Sequence, residues 1–353
     1  MTVLKLGSLF DGIGVFPLAA VHCGMEPVWA SEIEARPISI TRRHFPDMLH
    51  LGDITKISGA EIPPVDVITF GSPCQDLSQI GTRNGFAGKK SSLFYQAMRI
   101  IEEMRYATNG RYPAFTVWEN VAGAFSSNDR LDFAAMLRAF TGAEVSVPPR
   151  GWAHAGMVRG GCADTAWRLL DAQYWGEPAL VQRRKRVFVV ADFAGQRAGE
   201  VLFKPRTVLP FSSIGGPGGL SATQRGGVPA AQTGRQVPIV RPFSLRRMRT
   251  MAQVGDQKGF CASFGRGGEP FPTLLASVTA PFSFWYEGEE QDGFLRVLTP
   301  LECERLMGLP ENWTEYGCKN EEISDHARYR ALGNSIALPC AEYVMAGIAE
   351  VMN

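Results

Sequence analysis

The cysteines of this 353-residue chain form no framework. There are seven, at positions 23, 74, 162, 261, 303, 318 and 340, an odd number with no C-x-x-C pair. That excludes a zinc ribbon and a disulfide grid, and makes a reducing, cytoplasmic compartment the expectation. Long apolar runs are also missing: no stretch approaches the roughly 18 consecutive apolar residues of a membrane span, and residues 1–7 lack the pattern of a secretory leader. The histidines, His22, His44, His50, His154 and His326, have no ligand spacing, so no metal is expected. The net charge is only +1, so bulk charge announces no nucleic-acid partner, and only a local excess could. A G-x-G-x-x-G phosphate cradle and internal repeats are absent. Hydrophobic residues at 45% and charged residues at 20% exclude a largely disordered chain. At about 150 residues per domain, the length suggests two domains.

What is present, over the first two hundred residues, is alternation. Strands are expected over 4–9, 27–31, 48–51, 65–70, 114–118, 169–174 and 187–191. Helices are expected from the first turn to about residue 23, over 36–44 and over 93–106, where Leu93, Ala97, Ile100, Ile101 and Met104 recur at helical spacing. The run 65–70 is apolar throughout, as in a strand buried on both faces. This order implies an α/β fold with a doubly wound, mostly parallel sheet. After residue 203 the texture changes. Residues 213–234 are rich in glycine and lack a period, and 235–290 hold short strand-like runs, such as 271–277 and 281–286, between Gly and Pro. That pattern fits a small β-rich domain, inserted before an apolar C-terminal helix that packs back on the first domain.

Residues with chemical potential gather where strands end. Phe10-Asp11-Gly12-Ile13-Gly14 follows the first strand, and a glycine turn there lets a ligand approach the backbone at a helix N-terminus. Glu32 ends the second strand, where a carboxylate can accept hydrogen bonds from ribose hydroxyls; a solvated helix-start acid is the bland alternative. Asp53, after the third strand, either meets an amino group or merely caps a turn. Together these ends suit a nucleoside-bearing ligand without pyrophosphate. Gly71-Ser72-Pro73-Cys74-Gln75 follows the buried fourth strand, so Cys74 is either a nucleophile facing the crevice or a small buried apolar residue. Glu119 at the next strand end can protonate a ring under nucleophilic attack. In Gln182-Arg183-Arg184-Lys185-Arg186, an extended backbone would turn residues 182, 184 and 186 to one inward face; the alternative is a solvated basic run.

In this order the pieces resemble the DNA cytosine-5 methyltransferase family of the bacterial or phage type. The matching motifs are F-x-G-x-G at 10–14, P-C-Q at 73–75, E-N-V at 119–121, Q-x-R-x-R at 182–186, R-x-L-T-P-x-E-C-x-R-L-M-G-x-P at 296–310 and G-N-S at 333–335. Six motifs in the right order cover nearly the whole chain apart from about 205–290. The resemblance implies the S-adenosyl-L-methionine-dependent methyltransferase fold, with a catalytic domain of residues 1–204 plus 329–353, a target-recognition domain of 205–295 and a hinge segment of 296–328. It implies that Cys74 attacks C6 of a cytosine, that Glu119 acts at N3, that Arg186 contacts O2 and holds Glu119, and that Arg184 binds backbone phosphate. Phe10, Gly12, Ile13, Gly14, Glu32, Ile33, Asp53, Ile54, Pro73, Leu93, Asn334 and Ser335 would line the methyl-donor site. Glu32 would hold the ribose and Asp53 the adenine amino group.

Contacts to double-stranded DNA would come from Gln75, Ser78 and Gln182, and from Arg235, Arg246, Arg247, Arg249, Lys258 and Arg266. Residues 235–266 carry seven Lys or Arg and one acid, Asp256, a local excess suited to phosphates. Some positions depart from the family pattern. Ile33 stands where an aromatic often stacks on adenine, Val15 replaces a frequent glycine, and Lys90-Ser91-Ser92-Leu93-Phe94 replaces the common R-G-T-L-F. Residues 177–180 look like added length. A monomer is expected, acting apart from any cognate restriction endonuclease, with no membrane. The rival readings are the tRNA branch of the same chemistry and a catalytically silent DNA-binding protein.

Overall fold

The structure of the chain, a computed structural model, describes residues 3–72, 93–204, 239–243, 273–274, 283–287 and 294–353. In the first half, strands and helices alternate: β1 (Lys5–Leu9), α1 (Val15–His22), β2 (Glu26–Ser31), α2 (Ala35–His44), β3 (Leu49–His50), β4 (Val67–Phe70), α3 (Leu93–Ala107) and β5 (Phe115–Val121). Then come α4 (Leu131–Thr141), β6 (Ala155–Arg159), β7 (Asp164–Asp171), β8 (Lys185–Asp192) and α5 (Ala198–Leu202). Beyond these lie β9 (Ile239–Phe243), β10 (Ser283–Glu287), β11 (Phe294–Val297), α6 (Pro300–Met307), α7 (Asp325–Asn334) and α8 (Leu338–Met352).

Eight strands form one sheet in the order β3-β2-β1-β4-β5-β8-β7-β6. The pairs from β3 to β5 are parallel, and those from β5 to β6 are antiparallel. The order reverses beside β1, so the carboxyl ends of β1 and β4 flank the crevice where such sheets take ligands. Both faces are covered, which is why β4 reads as an unbroken apolar run. One face packs Phe115, Val117, Phe188 and Val190 against α1, α5 and α8. The other packs Trp118, Val187 and Val189 against α3 and α4. Strands β9, β10 and β11 form a separate antiparallel sheet.

The expected strand at 169–174 is corrected to Asp164–Asp171, because the chain turns at Ala172–Tyr174, where the Trp175 N–H donates to the Ala172 carbonyl. Helix α4 has no counterpart in the sequence reading, although Phe133, Met136, Leu137 and Phe140 recur at helical spacing. Of the expected strand at 271–277 only Thr273 and Leu274 are described, and they are in no strand; 213–234 lies outside the described residues. Helix α6 begins as its sequence dictates: Thr299 accepts from the Glu302 N–H at 3.3 Å, the Glu302 carboxylate accepts from the Thr299 N–H at 2.8 Å, and Pro300 fills the first turn. Residues 298–323, expected as part of a hinge, bury Leu298, Cys303, Leu306, Met307, Leu309, Trp313 and Ile323 in the core that α1 and α8 share. Among the described residues no single helix is long and apolar enough to cross a membrane.

Candidate active site

The turn after β1 is tight. Phe10, Gly12 and Gly14 all have left-handed backbone, with φ of 55°, 61° and 79°. A side chain at 14 would press on Phe45 and Thr41, so glycine is required there on two grounds. Phe10 pays a conformational penalty that glycine would not, the kind of strain that collects at functional sites. Glu32 closes the turn from β2. Its carboxylate accepts the Gly12 N–H at 3.0 Å, the Ile33 N–H at 2.7 Å and the Glu34 N–H at 3.0 Å. Ile33 beside it is 73% exposed, so its side chain is open to a ligand.

Asp53 accepts the Thr55 N–H at 3.0 Å and the Thr55 hydroxyl at 2.8 Å, and these bonds hold its carboxyl below the usual range. The capping reading of Asp53 is therefore observed, beside whatever else it does. Ile13 and Ile54 are buried in the two cores, so only their backbone is available to a ligand. Leu93 opens α3, Asn334 is exposed at the end of α7, and Ser335 follows it.

Glu119 sits two residues before the end of β5, where register sets its partner. Val121 lies opposite Arg186 and Glu119 opposite Phe188, which puts Glu119 and Arg186 on one face, one step apart. The Arg186 Nε lies 2.9 Å from Glu119 Oε1, and both side chains are nearly buried. Burial pushes the Glu119 carboxyl up, and Arg186 and Arg184 oppose that rise without cancelling it. The chain leaving β4 is brought to the same place. The Trp118 indole N–H donates to the Ser72 hydroxyl at 3.1 Å, and the Asn120 amide donates to the Ser72 carbonyl at 3.0 Å. Gly71 lies so close that an added Cβ would be 3.1 Å from Glu119 Oε2. Ser72, two residues before Cys74 in sequence, is therefore clamped by the neighbours of Glu119 on both sides. Pro73, Cys74, Gln75 and Ser78 lie outside the described residues, as do Arg235, Arg246, Arg247, Arg249, Lys258 and Arg266.

The alternation expected over 182–186 is present: Gln182 and Arg184 are buried, Arg186 is nearly so, and Arg183 and Lys185 are exposed. That alternation turns two residues expected to contact DNA, Gln182 and Arg184, inward in the free protein. The Arg184 guanidinium donates to the carbonyls of Leu274 at 3.0 Å, Gly333 at 2.9 Å and Ser335, and its own N–H donates to Asp171 at 3.0 Å. It holds three chain segments together and faces no solvent. Gln182 is fully buried too, and its amide has no hydrogen-bond partner among the described residues.

Sequence reasoning missed two further features. The Trp313 indole N–H donates to the Ile13 carbonyl at 2.8 Å, and the His44 ring stacks on Trp313 with centroids 3.6 Å apart. Trp313 is presented by a buried knot in which Glu304 accepts from Asn312 N, Thr314 N and Arg328. Asp11 is the other: both its oxygens are buried without a hydrogen-bond partner among the described residues, and burial pushes it up to about 7. Its signal was an acid inside F-x-G-x-G, read only for its glycines.

The family model for C-5 cytosine-specific DNA methylases matches residues 4–204 and 243–350. The chain belongs to that family. It is thus an enzyme of the DNA cytosine-5 methyltransferase class, and membership implies S-adenosyl-L-methionine as methyl donor. It is similar to the type II methyltransferase M1.ScrFI of Lactococcus lactis subsp. cremoris, 26% identical over 99% of this chain and 78% of that one. It is also similar to a protein of Escherichia phage P1 named DNA N-6-adenine-methyltransferase, 24% identical over 98% of this chain; the chain spans 61% of that relative's length. In fold it matches the Dnmt2 methyltransferase of S. pombe, with a TM-score of 0.60 at 15% identity over 99% of both chains. The donor suits the turn: an adenosyl group would cover exposed Ile33.

Proposed function

We propose that this methyltransferase acts on C5 of a cytosine in a specific sequence of duplex DNA, through a covalent adduct between Cys74 and C6. The reacting atoms cannot be reached inside a base stack, so the target base flips out. The Cys74 thiolate adds to C6. Glu119 gives a proton to N3 as that bond forms, so negative charge does not build up on the ring, and C5 becomes nucleophilic. Arg186 contacts O2 and keeps the Glu119 carboxyl in place. When bound, the donor supplies an electrophilic methyl group. Once C5 has taken it, the C5 proton leaves to a base, the Cys74–C6 bond breaks with the thiolate as leaving group, and N3 returns its proton to Glu119, restoring the aromatic ring with its methyl.

The observation that carries this reading is the buried Glu119–Arg186 pair, with Ser72 clamped beside it two residues before Cys74. A carboxyl raised above its ordinary range is suited to carrying a proton near neutral pH. Glu32 would take the ribose, and Phe10, Gly12, Gly14, Ile33, Asp53, Pro73, Leu93, Asn334 and Ser335 would complete the donor site, with Ile13 and Ile54 acting through their backbone. Residues 1–204 with 329–353 would carry the chemistry and 205–295 the choice of site. Arg235, Arg246, Arg247, Arg249, Lys258 and Arg266 would contact DNA with Gln75 and Ser78, and exposed Arg183 and Lys185 take the phosphate role expected of Arg184. The names of the relatives suggest restriction–modification or phage DNA modification, with a monomer acting apart from any restriction endonuclease.

The test offers the full chain duplex DNA and tRNA with labelled donor, and identifies the methylated base by mass. 5-Methylcytosine in DNA is expected, with no product from Cys74→Ala and a denaturant-resistant adduct on duplex containing 5-fluorocytosine. N6-methyladenine, the product named for the phage P1 relative, needs no thiol addition and would overturn the reading. So would a product confined to tRNA, or turnover by Cys74→Ala.

A further inference from the structure

The end of the sheet that carries Glu119 continues past it. Val121 ends β5 opposite Arg186, and Asp171 ends β7 opposite Lys185, so β7 closes at the same end of the sheet as the catalytic pair. A cleft of about 610 Å³ opens there, and its lining includes His154, Asp171, Gln173, Tyr174, Arg183 and Lys185. Extended backbone turns Arg183 and Lys185 away from the side taken by Arg184 and Arg186. The cleft therefore lies across β8 from the catalytic pair and does not hold the flipped base itself. Its His154 ring lies on Phe125, with centroids 6.5 Å apart, and Phe125 closes the short turn Ala122–Phe125 that follows β5. One wall is thus fixed to the strand that carries Glu119.

Charge in the cleft is unbalanced. Arg183 and Lys185 are exposed, and among the described residues neither pairs with a carboxylate. Exposed arginines elsewhere do find acids: Arg330 pairs with Glu34 at 2.6 Å and Arg159 with Asp164 at 3.1 Å. Asp171, the acid among the described lining residues, is nearly buried and already occupied. It accepts the Arg184 N–H at 3.0 Å and the Gln173 amide at 2.7 Å. Arg168 stands behind the cleft and is spent on the Leu202 carbonyl at 2.8 Å and the Tyr343 hydroxyl at 2.9 Å. Tyr174, 62% exposed, adds a hydroxyl donor, and exposed His154 adds a ring N–H. The whole chain carries a net charge of only +1, so this excess is local, and on a concave surface it draws anions.

We propose that this cleft holds the sugar–phosphate backbone of the duplex on one side of the methylated site, outside the base pairs that 205–295 would choose. The proposal rests on the DNA reading above. It adds His154 and Tyr174 to that reading and gives Arg183 and Lys185 a place on the duplex. Two adjacent cations and two uncharged donors match phosphodiester oxygens, which are negative and accept hydrogen bonds. Such contacts position a duplex without reading its sequence. A flank held on the sheet sets the register of the duplex against Glu119 and Arg186, whatever bases the flank contains.

The test is equilibrium binding of the full chain, at salt from about 50 to about 200 mM, to duplexes carrying the sequence that the wild type methylates in plasmid DNA. A short duplex ends just beyond the site, and two others add about ten base pairs, one helical turn, to one side or the other. Wild type should bind one of the extended duplexes about tenfold more tightly than the short one at the lowest salt, with a salt slope steeper by about two. His154→Ala with Tyr174→Ala, and Arg183→Gln with Lys185→Gln, should each remove most of that gain. The second pair should also return the slope to that of the short duplex. Changing the sequence of the added flank should leave the gain in place. Thermal melting reports folding of each variant, and the single substitutions replace a double variant that fails to fold. A gain on neither side, a gain kept in full by either folded pair, or a gain that follows the flanking sequence overturns the role of the cleft and leaves the methylation reading standing. Wild type that methylates no duplex DNA overturns that reading itself.

Discussion

The two halves of the sheet build their parts of the site in opposite ways. On the parallel half, the turn after β1 is made of backbone: glycines, a left-handed Phe10, and a Glu32 carboxylate that is satisfied by three backbone N–H groups. On the antiparallel half, buried charged side chains gather instead: Glu119 and Arg186, held by register on β5 and β8, and Arg184 just before β8, held by backbone carbonyls. A backbone cradle fits a ligand whose shape is constant and that must come and go. Buried charges on paired strands fix proton and cation positions where charge develops during reaction, which is where preorganised electrostatics count most.

The contrast breaks most readily at Glu119. Glu119→Gln keeps the shape and the amide oxygen near Arg186 but cannot carry the proton. Single-turnover methylation at saturating DNA should fall by about 10²–10⁴-fold, the usual range for general acid catalysis, with DNA affinity little changed. A loss confined to DNA affinity would move Glu119 from chemistry to binding.

The second prediction sharpens the antiparallel side. Arg184→Met strands three buried carbonyls, each costing about 1–3 kcal/mol, so thermal unfolding should shift down by many degrees while the salt dependence of DNA binding stays constant. Lys185→Met, one residue on and exposed, should leave the melting point alone and lower the salt slope by about one. The reverse pattern would restore Arg184 to a phosphate.

The smallest effect belongs to the parallel side. Ile33→Ala removes apolar surface that bound donor would cover, worth about 1–2 kcal/mol when an isoleucine goes from exposed to buried. Donor affinity should weaken by several-fold in equilibrium titration, with stability little changed because the side chain is largely exposed in the free protein. A destabilised variant with full donor affinity would contradict this.

The sequence by itself determined the parallel half. F-x-G-x-G, the acid at the end of β2 and the apolar run of β4 are local signals: turn chemistry and burial on two faces act within a few residues of chain, so periodicity and glycine placement report them. The inward face of 182–186 was legible for the same reason, since alternation is a property of any extended segment. What that face meets was not legible. Whether Arg184 reaches a phosphate or the carbonyls of Leu274, Gly333 and Ser335 depends on groups 90 to 151 residues away. The Trp313 clamp on Ile13 spans 300 residues, and the Glu119–Arg186 pair exists only because β5 and β8 run antiparallel in one register. Only the tertiary structure decided these, because burial removes water as the default partner and leaves each buried charge to find what the folded chain brings beside it.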